Sequence, residues 1–177
     1  DKSGDKEAEY LHNMQMNHIL KEALAKDLVI PFFQPILNLN NQKIEKYETL
    51  MRIKKEDGSY YLPHEFLHVA KHSKLYSKLS MSLIQKAFET FQISSSGFSI
   101  NLSYLDMTNI VTTTFIIEKL EEFNVGPWVI FEILESDYIS DYTLLEDFIL
   151  KYRNQGIKIA IDDFGTGYSN FAHILKI

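Results

Sequence analysis

Five polar residues with metal-binding chemistry recur at similar places along the predicted strands of this chain. They are Glu48, Asn101, Glu132 and the adjacent pair Asp162 and Asp163. Carboxylate and amide oxygens are the ligands that Mg²⁺ and Mn²⁺ prefer. Two adjacent carboxylates repel each other unless a cation binds them or solvent screens their charges. Taken singly, each glutamate could be a solvated strand-end acid and the asparagine a turn or cap. The repetition on four strands favours one shared metal site.

The aspartate pair ends an apolar strand and precedes a glycine-containing turn. The strand is predicted over 157–163, with apolar residues on both faces, as in a fully covered parallel strand. Gly165 and Gly167 would let the backbone turn sharply and approach a ligand closely. A kinase interpretation of Asp163-Phe164-Gly165 fails, because neither a glycine-rich phosphate loop nor a His-Arg-Asp loop precedes it.

The elements that would position these residues follow from the spacing of apolar side chains. Strands are predicted over 28–39, 43–53, 98–102, 128–134 and 157–163, and helices over 10–26, 63–70, 77–91, 114–123 and 144–154. Pro31 and Pro35 place the first strand at an edge, paired with the second as a hairpin. The intervals from Phe98 to Trp128 and from Trp128 to Lys158 are 30 residues each, the length of a strand–helix unit in a parallel sheet. In a β/α barrel the carboxyl ends of such strands converge, which predicts a metal-dependent enzyme of the α/β class.

Composition excludes several other kinds of function. The 177 residues are 45% hydrophobic and 24% charged, with a net charge of −6, so no strongly basic face for duplex nucleic acid is expected. The absence of cysteine excludes disulfides, thiolate catalysis and cysteine-ligated zinc. The polar start is not a signal peptide, and no apolar run is long enough to span a bilayer. We therefore expect a cytoplasmic location, which leaves open a membrane anchor in an upstream region.

Five segments of the chain resemble motifs of the EAL family, the bacterial cyclic-di-GMP phosphodiesterases. They are Gln-Pro-Ile at 34–36, Tyr-Glu-Thr-Leu-Met-Arg at 47–52, Ile-Asn-Leu-Ser at 100–103, Phe-Glu-Ile-Leu-Glu-Ser at 131–136 and Asp-Asp-Phe-Gly-Thr-Gly-Tyr-Ser at 162–169. The resemblance covers 29–177. It implies a modified (β/α)₈ TIM-type barrel with an antiparallel first strand, present here as an incomplete barrel.

The resemblance also implies a role for each matching residue. The implied metal ligands are Glu48, Asn101, Glu132 and Asp162, with Asp163 at a second metal; Glu135 would support the loop after Asp163, and Gln34 and Arg52 would contact the dinucleotide. The implied reaction is hydrolysis of cyclic-di-GMP to the linear dinucleotide pGpG, with two Mg²⁺ or Mn²⁺ ions as cofactors.

The chain departs from the family pattern in two side chains and in length. Thr49 and Leu134 replace the residues that are usual there, but both leave the neighbouring glutamates in place. The sequence stops at Ile177, about two thirds of the way through a barrel of roughly 250 residues. The family's lysine, a further acidic ligand and the general-base glutamate lie beyond that point. We therefore expect a fragment with very low turnover of its own, or one completed in a homodimer or strand-exchanged oligomer.

Two domain segments and one competing function complete the interpretation. The helix within residues 1–27 is either a lid over the bottom of the domain or a linker, and we expect a linker from an upstream sensory or GGDEF-type domain because its start has neither a strong cap nor an apolar anchor. Residues 28–177 are interpreted as the truncated EAL domain. The competing interpretation is a degenerate EAL domain that acts as a cyclic-di-GMP receptor or a protein-interaction module. Retention of every metal-ligand position within the chain favours the enzyme.

Overall fold

Six strands form one mixed sheet in the computed structural model, which describes residues 2–94, 96–134 and 142–162. The strands are β1 (Val29–Asn38), β2 (Lys43–Lys54), β3 (Tyr60–Tyr61), β4 (Gly97–Leu102), β5 (Val129–Leu134) and β6 (Lys158–Asp162). Their order is β1-β2-β4-β5-β6, and β3 pairs with the end of β2. β1 is antiparallel to β2, whereas β2, β4, β5 and β6 are parallel. Within these residues the sheet is open, with β1 and β6 at its edges.

The first helix precedes the sheet, and the later helices lie in the connections between the parallel strands. The helices are α1 (Lys2–Ala25), α2 (Pro63–His72), α3 (Tyr76–Phe91), α4 (Tyr104–Thr108), α5 (Ile110–Phe123) and α6 (Tyr142–Arg153), with a short 3₁₀ turn at Gly126–Trp128. The predicted α/β class and the antiparallel first strand are therefore confirmed. In the described segments no helix is long and apolar enough to cross a membrane.

The two prolines of β1 explain its place at the edge of the sheet. Pro31 and Pro35 have no N–H to donate to a second neighbour, and β1 pairs with β2 alone in the described sheet. Side-chain oxygens of Asn38 and Asn41 accept hydrogen bonds from backbone N–H groups two residues further on, at 2.9 Å each, and so shape the turn between the strands. The predicted hairpin is confirmed.

The main hydrophobic core lies between the parallel strands and the helices. The rings of Phe91 and Phe98 stack with centroids 4.3 Å apart, and the rings of Phe131 and Tyr152 meet edge to face at 5.4 Å. All four side chains are buried. Because strand residues alternate between the two faces, this apolar packing commits the intervening residues of β4 and β5 to the opposite face.

Helix α1 differs from its predicted course. It begins at Lys2 rather than near Tyr10, and its apolar residues Leu11 and Met14 are exposed. The buried residues are instead Met16, Leu20 and Ala23, which share a cluster with Phe66 of α2 and Ile53 of β2. The C-terminal half of α1 therefore packs in the same core as β2, because α2 faces that side of the helix.

Two further differences concern the edges of predicted elements. Helix α5 starts at Ile110, four residues before its predicted start, because Asn109 Oδ1 accepts hydrogen bonds from the N–H groups of Val111 at 2.9 Å and Thr112 at 3.3 Å. The expected complete covering of β6 is not found in the described sheet, where its three apolar residues are only half-buried at the edge.

The short helix α4 was not predicted, and it depends on a buried carboxylate. Asp106 Oδ2 accepts hydrogen bonds from Ser103 N at 2.9 Å, Ser103 Oγ at 3.1 Å and Tyr76 Oη at 3.0 Å. Burial raises the pKa of Asp106 above its ordinary value, although the hydrogen bonds act in the other direction. The same contacts connect the end of β4 to α3.

Candidate active site

The sheet has a helix-packed face and an opposite face that carries most of the predicted site residues. On β4, Ser99 and Asn101 alternate with buried apolar residues and therefore point away from the helices. Glu48 pairs with Ser99 in register, and Glu132 pairs with Asn101, so β2 and β5 extend this side. We call it the polar face; its members are Lys46, Glu48, Ser99, Asn101, Glu132 and Asp162.

Two of the predicted ligands are in direct contact. Asn101 Nδ2 donates a hydrogen bond to Glu48 Oε1 at 3.1 Å, from β4 to β2. Glu48 is half-buried and Asn101 is exposed. The contact holds the glutamate with a neutral partner and directs the amide oxygen of Asn101 away from that carboxylate, where it can serve as a ligand.

Glu132 has a cationic partner that the sequence interpretation missed. Lys46 Nζ lies 2.8 Å from Glu132 Oε1, and the side chains are only 25% and 13% exposed. The pair joins β2 to β5 across β4. One signal in the sequence pointed to it: Lys46 precedes Glu48 by two residues, so strand alternation assigns both side chains to the same face.

Asp162 lies further along the polar face than the two glutamates. It pairs in register with Leu134, two residues beyond Glu132 on β5, and it is exposed at the end of β6. Asp163 and Glu135 fall outside the described residues. In the three described ranges no group of three acidic or histidine side chains forms a ready-made metal site.

The predicted dinucleotide contacts lie on the same side of the sheet. Gln34 is exposed and pairs in register with Glu48. Arg52 Nη1 donates to Met51 O at 2.9 Å, and its guanidinium carbon lies 5.4 Å from the ring centroid of Phe32. This distance is within the range of a cation–π contact. Phe32 is 38% exposed, so an aromatic surface accompanies the arginine; sequence reasoning did not identify it.

Comparison with known proteins identifies the family. The family description "EAL domain" matches residues 17–177. The chain belongs to the EAL domain family. The match begins inside α1, in agreement with the burial of that helix's C-terminal half.

Curated relatives of this EAL domain include bacterial phosphodiesterases. The "Probable cyclic di-GMP phosphodiesterase PdeB" of Escherichia coli is 29% identical over 164 residues, which are 89% of this chain and 32% of the relative. The "Cyclic di-GMP phosphodiesterase PdeB" of Shewanella oneidensis is 26% identical over 181 residues, 98% of this chain and 21% of the relative. The chain thus spans a third or less of the length of these relatives.

Solved EAL domains have the same fold. The FimX EAL domain from Pseudomonas aeruginosa, bound to c-di-GMP, superimposes with a TM-score of 0.81 at 24% identity, covering 90% of this chain and 66% of that one. The fold of this EAL domain is therefore TIM-barrel-like, and the open sheet forms part of such a barrel.

The donor set of the EAL domain fits a hard divalent cation in its chemistry. Glu48, Glu132 and Asp162 supply carboxylate oxygens, and Asn101 supplies an amide oxygen. Ser99 Oγ, on the same face, is buried and has no hydrogen-bond partner among the described residues. A buried hydroxyl of this kind suits a site that water or an ion completes. These oxygen donors fit Mg²⁺ or Mn²⁺ better than softer metals.

Proposed function

We propose that the protein containing this EAL domain hydrolyses cyclic-di-GMP to pGpG in a reaction that depends on Mg²⁺ or Mn²⁺. The observation that carries the proposal is the contact between Glu48 and Asn101 on the polar face, where Glu132 and Asp162 also lie. The names of the curated relatives support the choice of substrate. The 177-residue chain alone would have very low turnover, because the general base is expected after Ile177.

In this proposal the residues of the polar face hold the metal ions and the substrate phosphate. Glu48, Asn101, Glu132 and Asp162 would provide the ligands, and Asp163 would contact a second metal. The metal chemistry supplied at such a site is activation of a water and stabilisation of charge on the phosphate being cleaved. Asn101 orients Glu48 through its hydrogen bond, so that the carboxylate is held in place before the metal binds.

Substrate binding would depend on Arg52, which lies near the end of β2. The guanidinium of Arg52 offers a planar set of donors to a phosphate or to the edge of a guanine. Phe32 restricts its orientation through the cation–π contact, and Tyr60 meets the Phe32 ring edge to face with centroids 4.9 Å apart. Gln34 would add a polar contact beside Glu48. Glu135 would support the loop that follows Asp163.

A receptor function is the second candidate, and the ion pair between Lys46 and Glu132 favours it. A carboxylate that already has a partly buried cationic partner is a poorer metal ligand than one without such a partner, because the metal must displace that partner. A protein of this kind would bind cyclic-di-GMP and hydrolyse it slowly or not at all.

The same proposal covers the upstream domain, the cellular location and the oligomeric state of the protein. An upstream sensory or GGDEF-type domain would connect through α1, whose N-terminal half exposes Leu11 and Met14. The protein would act in the cytoplasm, and a homodimer or strand-exchanged oligomer could cover the open sheet edge at β6. Sedimentation of the complete protein and of residues 1–177 would measure the oligomeric state of each.

The decisive experiment follows conversion of cyclic-di-GMP to the linear dinucleotide by the complete protein, with Mn²⁺ or Mg²⁺ and with EDTA. Turnover should require the metal and should be lost in Glu48→Ala. The matched control is Glu45→Ala, which removes an exposed glutamate three residues earlier on the same strand and should leave turnover unchanged. Binding of the dinucleotide without any turnover would overturn the enzyme proposal in favour of the receptor.

A further inference from the structure

We infer that Lys46 neutralises the charge of Glu132 on the polar face and competes with a divalent metal ion for the Glu132 carboxylate. The inference rests on the proposed function, since it concerns the same site. It predicts that the metal affinity of this domain is set by a residue that is not itself a ligand.

The contact has the features of a formed ion pair rather than a passing surface contact. The Nζ–Oε1 distance is 2.8 Å, and three quarters of the Lys46 side chain and seven eighths of the Glu132 side chain are covered. Screening by water is weaker for partly buried charges, so this pair is stronger than an exposed one. The residues come from β2 and β5, which do not pair with each other, so the lysine side chain crosses β4 to reach the glutamate.

The structure of β4 leaves room for this crossing. Lys46 pairs in register with Gly97, which has no side chain, and the next residue of β4 on the polar face is the small Ser99. On this face of β4 only Asn101, level with Glu132, has a longer side chain, and it is hydrogen-bonded to Glu48. The lysine thus crosses β4 over a glycine and a serine.

The two glutamates of the polar face therefore differ in the charge of the side chain that each contacts. Glu48 is held by a neutral amide, whereas Glu132 is held by an ammonium group. A metal ion that binds at Glu48 and Asn101 meets a carboxylate whose partner is a neutral amide. Coordination by Glu132 requires Lys46 to move away from the Glu132 carboxylate. The ammonium also repels a cation that approaches the face. Loss of the lysine charge should accordingly tighten metal binding.

The test is a titration of the complete protein with Mn²⁺ in the absence of nucleotide, followed by calorimetry or by the electron paramagnetic resonance signal of free Mn²⁺. Lys46→Gln should bind Mn²⁺ about tenfold more tightly than the wild type. Lys46→Arg, which keeps the charge, should not. The matched control is Lys43→Gln, which makes the same change of net charge at an exposed position of the same strand and should leave affinity unchanged.

The outcomes separate this inference from the proposed function. If Lys46→Gln binds Mn²⁺ as the wild type does, or more weakly, while Glu48→Ala loses binding, the inference is wrong and the metal site stands. If neither the wild type nor Lys46→Gln binds Mn²⁺, both are wrong. Binding by Lys46→Gln alone supports the inference and favours the receptor over the enzyme. Circular dichroism and the melting temperature of each variant check that the fold is intact.

Discussion

Asn101 Nδ2 lies 3.1 Å from Glu48 Oε1, so the amide of Asn101 on β4 holds the carboxylate of Glu48 on β2. A carboxylate at position 101 would reverse this contact, since it offers no donor and adds a negative charge beside Glu48. The pair of acids would then be stable only with a cation between them.

The first prediction is that Asn101→Asp makes stability depend on metal. Without metal the melting temperature of the complete protein should fall by about 2–4 °C, the shift expected of roughly 1 kcal/mol in a domain of this size. Added Mn²⁺ should raise it by more than in the wild type. Asn40→Asp makes the same charge change in the exposed turn after β1 and should show neither effect. Equal responses to Mn²⁺ in Asn101→Asp and wild type would contradict the assignment of Asn101 to the metal site.

The second prediction concerns the planar group of Arg52. Arg52→Lys keeps the charge but removes the fork of donors and the stacking contact with Phe32. Affinity for cyclic-di-GMP, measured by calorimetry without divalent metal, should fall about tenfold, whereas affinity for Mn²⁺ should not change. Arg153→Lys, at the end of α6, is the matched control. Unchanged nucleotide affinity in Arg52→Lys would remove Arg52 from the proposed binding surface.

The parts of the fold that could be predicted from the sequence are those that the spacing of apolar residues along the chain determines. The strands of the sheet and the common face of Glu48, Asn101 and Glu132 follow from alternation along each strand and from the equal spacing of strand starts. The hairpin follows from the prolines and asparagines between 31 and 41. Asp163 and Glu135 stay predictions, since they lie outside the described residues.

The missed features depend on which elements become neighbours in space. Helix α1 has two apolar stripes, and only the position of α2 decides that Leu20 is buried while Leu11 is exposed. The contact of Lys46 with Glu132 joins strands that are separated by a third strand; local alternation gives the face of Lys46 but not its partner. A search for oxygen ligands at strand ends also passes over a lysine two residues earlier.

The third prediction is a pH dependence that comes from Asp106. Burial raises the pKa of Asp106 in the folded protein, so the folded state holds this proton more tightly than the unfolded state does. The unfolding free energy should therefore fall as pH rises from about 4, the ordinary pKa of aspartate, through the higher pKa of the folded state. Asp106→Asn cannot ionise and should lack this loss.

The measurement is the urea midpoint of each protein from pH 4 to pH 8. As pH rises, the urea midpoint of the wild type should fall relative to that of Asp106→Asn. Asp57→Asn is the control of opposite sign, because the side-chain and backbone hydrogen bonds from Ser59 lower the pKa of the exposed Asp57. A wild-type curve parallel to that of Asp106→Asn would show that Asp106 carries no such proton.

The fourth prediction tests whether the C-terminal half of α1 belongs to the folded domain. Leu20 is fully buried in the cluster that contains Phe66 and Ile53, whereas Leu11 on the same helix is 52% exposed. Leu20→Ala should lower the unfolding free energy by about 2–5 kcal/mol, the range for truncation of a buried leucine, and Leu11→Ala should change it by less than about 0.5 kcal/mol. Urea denaturation of the complete protein, monitored by circular dichroism, measures both. If Leu20→Ala were as stable as Leu11→Ala, α1 would be a linker along its whole length, and the domain would begin at β1.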